Sequence, residues 1–578
     1  MNHAAVIDRR VETTMRDGTI LRGDVYRPAA EGAHPALVLR TPYNRADPTV
    51  HTVMFDVLRA VAAGYAVVVQ DTRGRYESEG RFVPFQTEGP DGYDTIEWTA
   101  AQPWASGRIG MVGTSYSAYA QWLAAIESPP HLCAIAPRMA PDGAHTNWVY
   151  QGGAFQTGFN TSWVLGSLAL DELARADRAD TDRVSARRTL TSTLDGIGDH
   201  FQERADIAHA LGAAGVGAYH AGWREHPPWD PFWDQVSITG HRPNVTVPAL
   251  SIGGWYDVFL QGTLTNFVDG RGRCGTPEAR SGQRLLVGPW LHGFPHLANP
   301  VGNADFGFAS LGAVIDVTGR TLRFLDEWVR GAPPAADARV TVFVMGANEW
   351  REFDDWPPAG AVATPLYLHS TGHAGSSTGD GVLSREPPGN QPPDTFVYDP
   401  TAPVQTVGGG LCCSPVALRQ GAFDQRGVET RSDVLVYTTP ELEHSLTAVG
   451  PVTVELHAAS SARDTDFTAK LVDVFPDGYA RNVTDGILRV SSRGADGSAW
   501  LDPGRAERLV IDLAGTAHVF HAGHRIRLEV SSSNYPRFEP NPNTGDSPSP
   551  PVRAVQEILH DAGHASALLL SIIEDPST

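Results

Sequence analysis

Short apolar runs, each ending abruptly in a polar or glycine-containing loop, recur between residues 1 and 140 and again between 245 and 335. They are HPALVLRTPY (34–43), YAVVVQDTRG (65–74), RIGMVGTS (108–115), PALSIGGWYD (248–257) and RLLVGPWLHG (284–293). Segments with helical spacing, such as VMFDVLRAVAAG and AQWLAAIES, lie between them. Continuous apolar runs alternating with helices predict strands of a parallel sheet covered on both faces, hence an α/β core in two parts, 1–140 and 245–335.

Residues 141–244 break this rhythm. The stretch SLALDELARADRADTDRVSARRTLTSTLDGIGDHFQERADIAHAL is rich in helix formers, with charges interspersed among Leu, Ala and Ile. It predicts a helical insertion lying over the sheet as a cap. After the Pro/Ala-rich VRGAPPAADARV, period-two alternation takes over: Ile526, Leu528 and Val530 alternate with Arg525, Arg527 and Glu529, and VTVELH behaves alike. With DVLVYTT and ERLVIDL, this predicts an antiparallel β-sandwich of jelly-roll type over 336–578.

At 578 residues the chain exceeds what one hydrophobic core organises, about 250–300 residues, which fits this division. A net charge of −21 argues against nucleic acid or anionic lipid as a partner, since both require clustered Lys and Arg. No apolar run approaches the ~20 residues of a membrane span, and the N-terminal residues lack a signal-peptide pattern, so the expected location is cytoplasmic. Four cysteines make no disulfide framework. Cys133 reads as a buried small hydrophobe, and the adjacent Cys412 and Cys413, without metal-ligand partners, as packing residues.

GTSYSA (113–118) ends one of the apolar runs and opens a helical segment. A serine hydroxyl becomes a nucleophile only when a base takes its proton and donors receive the resulting oxyanion. Strand-to-helix turns that expose such a serine need small residues on both sides; Gly113 supplies one and Ser117 stands where glycine is usual. A serine capping an ordinary helix is the competing reading. Against it, the acid and histidine that should follow in that chain order are found at two later strand ends, as Asp257 and His292. The expected roles are Ser115 as nucleophile, His292 as base and Asp257 as its orienting acid. The Tyr116 backbone N–H supplies one oxyanion donor, and the Tyr43 hydroxyl, at the end of an early strand, is a candidate for the second.

GRGRCG (270–275) matches a dinucleotide-binding pattern but lacks the preceding strand. Neither a zinc-protease helix motif nor a phosphate-binding loop is present, so no metal or cofactor is expected.

The pieces RTPYNR, QDTRGRYESEG, GMVGTSYSAYAQW, GGWYDVF, VGPWLHG, DTDFTAKLVDVFPDG and HRIRLEVSSSNYPRFEPNPNTG together resemble the cocaine esterase and X-Pro dipeptidyl-peptidase-like hydrolase family over nearly the whole chain. The resemblance implies an α/β-hydrolase core with a helical cap and a C-terminal jelly roll. It also implies an acyl pocket walled by Trp148, Trp163 and Phe259, a small-molecule ester as substrate and a homodimer. It points to a serine carboxylesterase, with an amidase, acylase or X-Pro dipeptidyl-peptidase on the same triad as the alternative. From another class, a ligand-binding protein on a degenerate hydrolase core would have no use for all three triad residues. GGGLCC (408–413) departs from the family, with cysteine where an aromatic contact is expected.

Overall fold

The structure is a computed structural model describing residues 5–177, 179–204, 207–293, 299–414, 417–494, 496–545 and 549–574. Its first body is a ten-stranded sheet. The strands are β1 (Ala5–Thr14), β2 (Ile20–Pro28), β3 (His34–Thr41), β4 (Ala66–Asp71), β5 (Ala105–Thr114), β6 (Leu132–Arg138), β7 (Leu250–Tyr256), β8 (Arg284–Leu291), β9 (Val340–Val344) and β10 (Glu349–Phe353). They lie in the order β1-β2-β4-β3-β5-β6-β7-β8-β9-β10. Pairing is parallel from β4 through β9 and antiparallel at both margins.

Strand side chains alternate in direction, so a doubly covered strand must be apolar at every position. Leu37 and Leu39 of β3, with Val67 and Val69 of β4, enter one apolar cluster; their neighbours Ala36, Val38, Ala66 and Val68 enter another on the opposite face. Burying each such Val or Leu contributes about 1.5–3 kcal/mol. The five runs singled out in the sequence become β3, β4, β5, β7 and β8.

The first face carries α1 (Val57–Ala62), the second α2 (Glu88–Ala100) and α3 (Tyr116–Ile126), and over the second lies the insertion. Its helices are Thr157–Trp163, Ala169–Arg175, Asp180–Asp195, Ile197–Glu203, Ile207–Ala214 and Ala218–Glu225. Trp163, Leu168, Leu190 and Phe201 join the same cluster as α3, which anchors the cap to the helix behind Ser115. The cluster on the first face continues into the C-terminal part of the chain through Leu366, Val454 and Leu528.

β9 and β10 lie in the segment expected to form the sandwich, yet they extend the central sheet, β9 pairing parallel to β8. The alternation after the Pro/Ala-rich segment is real; its strands simply had a ready edge to join. Beyond Phe353 a twelve-stranded β-rich sheet spans Val362 to Ile573. VTVELH lies in its long strand Leu446–Ser460, which pairs with Glu507–Phe520, Ala554–Asp561 and Ala567–Ile573. Among the described residues no helix is long and apolar enough to cross a membrane.

Candidate active site

Ser115 occupies the turn between β5 and α3 with φ 62° and ψ −122°. A non-glycine residue rarely adopts such a conformation, and holding it costs on the order of 1–3 kcal/mol, so the surrounding packing must impose it. Gly113, just before it, has φ 137°, and a β-carbon there would stand 2.6 Å from the Ser117 β-carbon. Two side chains cannot share that space, so Ser117 is accommodated because residue 113 is glycine. Although Ser115 is the residue before the first turn of α3, its side chain makes no capping hydrogen bond. The helix-cap reading of this serine therefore fails.

The Ser115 hydroxyl instead lies 2.9 Å from His292 Nε2, and His292 Nδ1 lies 2.6 Å from Asp257 Oδ1. An ionised carboxylate only accepts, so Nδ1 carries the proton and Nε2 faces Ser115 as an acceptor. Asp257 follows β7 and His292 follows β8, both at carboxyl ends of parallel strands. All three residues are buried. Asp257 caps nothing: the helix Leu260–Arg273 has Phe259 at its cap position, without a side-chain bond.

Tyr43 is brought to the same place from the end of β3. Trp163 Nε1–H donates to its hydroxyl at 3.0 Å, and the Ser115 hydroxyl is close enough to act on it electrostatically. Burial pushes the Tyr43 phenol up to about 12, with Trp163 and Ser115 opposing. It keeps its proton at any working pH and can donate it. The Tyr116 N–H, at the first helical position, has no acceptor within the helix, and α3 adds the positive end of its dipole. The Tyr116 side chain points elsewhere: its hydroxyl donates to Glu88 Oε1 at 2.9 Å and accepts from Phe85 N–H at 3.1 Å. Burial raises Glu88 above the usual carboxylate range, with the Arg40 guanidinium opposing.

Trp148, Trp163 and Phe259 do converge. Trp148 stacks on Phe259 at 4.6 Å and meets Trp163 edge-on at 4.8 Å, while Phe259 meets the His292 ring edge-on at 5.1 Å. Two further members are absent from the sequence-based set. Phe159 packs 5.4 Å from both Trp148 and Phe259, and its spacing of four from Trp163 on one helix was the available signal. Phe85, 4.9 Å from Trp148, sits in a loop at positive φ and left no periodic trace.

The cysteine expectations need correction. Cys412 and Cys413 are joined in a disulfide rather than packing as two independent thiols. Cys133 is half-buried, not fully buried, standing near the N-terminal end of β6 before its fully buried stretch begins; Cys274 is the buried free thiol. The loop bearing the disulfide runs past Asp257: a β-carbon on Gly410 would stand 2.8 Å from the Asp257 carbonyl oxygen. GRGRCG closes the helix Leu260–Arg273 and forms no phosphate-binding turn. Among the described residues no group of three or more His, Cys, Asp or Glu is arranged to hold a metal.

The model of the X-Pro dipeptidyl-peptidase (S15 family) matches residues 17–294, and that of the X-Pro dipeptidyl-peptidase C-terminal non-catalytic domain matches 335–569. A cocaine esterase from Rhodococcus sp. is 36% identical over 592 residues, covering 98% of this chain and 98% of its own. The chain belongs to the cocaine esterase and X-Pro dipeptidyl-peptidase-like hydrolase family. Two solved structures extend the family likeness to the whole fold. An aminopeptidase from a marine sediment archaeon (Thaumarchaeota) is 27% identical with a TM-score of 0.79, covering 98% of this chain and 97% of that one. An α-amino acid ester hydrolase is 25% identical with a TM-score of 0.79, covering 98% and 96%.

Proposed function

We propose that this family member is a serine carboxylesterase acting on small-molecule esters through an acyl-enzyme. The observation that carries the reading is the continuous line from Ser115 Oγ to His292 to Asp257, at 2.9 and 2.6 Å, starting on a strained turn. Ser115 attacks the acyl carbon as His292 takes its proton at Nε2, and Asp257 stabilises the imidazolium that forms. The developing oxyanion is received by the Tyr43 hydroxyl and the Tyr116 N–H. His292 returns its proton to the leaving alkoxide, then draws one from the water that releases the acid. Trp148, Trp163, Phe259 and Phe159 form an aromatic wall suited to a bulky apolar acyl group.

Peptidase or amidase activity on the same residues is the second reading, favoured by the S15 family model and by the aminopeptidase among the structural neighbours. Recognition of a free substrate ammonium would call for an unpaired carboxylate near the acid. Asp485, which lines the cavity beside Asp257, is already ion-paired with Arg537, and this supports the ester reading.

The test is hydrolysis of p-nitrophenyl butyrate by wild type and Ser115→Ala, with folding verified by circular dichroism. Activity that collapses in a folded Ser115→Ala supports the reading; equal rates overturn it. A parallel panel of p-nitroanilides separates esterase from amidase.

A further inference from the structure

A cavity of about 20 Å³ lies where the Asp257 loop meets the C-terminal domain, lined among others by Asp257, Gln261, Gly409, Thr484, Asp485 and Arg537. One ordered water needs roughly 10–15 Å³ and two to four polar partners, so the space suits a single molecule. Two polar atoms of the lining residues are buried without a hydrogen-bond partner: Asp257 Oδ2 and Arg537 Nε. Each is a costly omission, since an unsatisfied buried group keeps its full desolvation penalty, the more so when charged.

The rest of both groups is committed. Asp257 gives Oδ1 to His292. Arg537 gives Nη1 to Asp485 Oδ1 and Nη2 to Gln151 Oε1 at 3.2 Å, while Asp485 Oδ2 accepts from Asn534. The guanidinium is a rigid fork, so with both terminal nitrogens engaged its Nε–H has a fixed direction.

We propose that an ordered water in this cavity accepts from Arg537 Nε–H and donates to Asp257 Oδ2, making Arg537 a positioning residue for the acid; this rests on the reading of Asp257 as the triad acid. With Oδ2 anchored, the carboxylate cannot rotate to offer its oxygens to His292 in turn, and Oδ1 stays aligned with Nδ1. The domain whose family model is described as non-catalytic thereby sets the geometry of the reaction.

The experiment uses the full chain with Arg537→Gln and Asp485→Asn combined, so that neither partner is left as an unpaired buried charge. Kinetics on p-nitrophenyl butyrate are measured in the wild-type and Asp257→Asn backgrounds. The expected result is kcat lowered about ten- to a hundred-fold at unchanged KM in the first background, with no further loss in the second. Wild-type kcat in a folded double variant, or the same fold-loss in both backgrounds, overturns the proposal. So does a high-resolution crystal structure with the cavity dry. Should the double variant fail to fold, Arg537→Lys keeps a cation beside Asp485 while removing Nε–H. A kcat loss that is absent from the Asp257→Asn background then supports the proposal, and an equal loss in both overturns it. If Asp257→Asn alone retains full activity, the triad reading has failed, and the water with it.

Discussion

Gly113 and Ser117 face each other across the turn that carries Ser115, so close that a β-carbon on Gly113 would sit 2.6 Å from that of Ser117. One of the two must be glycine, and here it is the first. Gly113→Ala combines this clash with an unfavourable positive φ and should cost at least about 1–3 kcal/mol in urea unfolding, together with most esterase activity. Adding Ser117→Gly removes the clash but not the φ penalty, so the double variant should recover part of the stability. Additive losses would show that the two residues are not in contact.

Asp257→Asn keeps the shape of the side chain but no longer dictates the His292 tautomer. Expected is a fall in kcat on the order of 10⁴-fold with KM little changed, read from p-nitrophenyl butyrate progress curves at high enzyme concentration.

Removing an oxyanion donor typically costs about 10²–10³-fold in kcat, so Tyr43→Phe should lose about that much while substrate binding persists. The tyrosine also predicts a pH behaviour. Its folded pKa of about 12 lies above the ordinary 10, so the folded state keeps a proton that the unfolded chain loses over that interval. The stability it contributes is whole below about pH 10 and is lost as the pH rises through about 12. Thermal unfolding of Tyr43→Phe and wild type should therefore differ in pH dependence only above about pH 10, and wild-type kcat should show no ionisation of Tyr43 below it.

Trp148 is fully buried and touches Phe85, Phe159, Trp163 and Phe259. Trp148→Ala should cost about 3–5 kcal/mol in chemical denaturation. Substrate preference should move toward larger acyl groups, measured as the ratio of kcat/KM for benzoyl and acetyl p-nitrophenyl esters.

Thiol titration of denatured, unreduced protein should find two groups, Cys133 and Cys274, and four after treatment with a dithiol. Four groups before reduction would show Cys412 and Cys413 to be free.

Much of the fold, and the convergence of Ser115, Asp257 and His292, is legible in the sequence because the relevant signals are local. β4 is AVVVQD, buried at every position, and an apolar run of that kind has few other uses. β1, AVIDRRVETT, is silent because an edge strand with one face in water has no continuous run to display. The order serine, acid, histidine at strand ends is readable since the fold dictates it. Arg537 is not, because its partners Asp485 and Gln151 stand 52 and 386 residues away, and only the closed structure makes them neighbours. The disulfide is hidden for the opposite reason: adjacent cysteines offer no spacing to interpret.

Tyr256, immediately before Asp257, donates its hydroxyl to the Asn482 carbonyl at 3.0 Å, across 226 residues of chain. During synthesis the parallel strands and Ser115 emerge well before Asn482 and Arg537 do. A ribosome-bound chain lacking those last segments would carry Ser115 and His292 with the Asp257 loop still unbraced. Esterase competence would then be switched on late in translation, by the arrival of the C-terminal strands, and not by completion of the sheet that holds the serine.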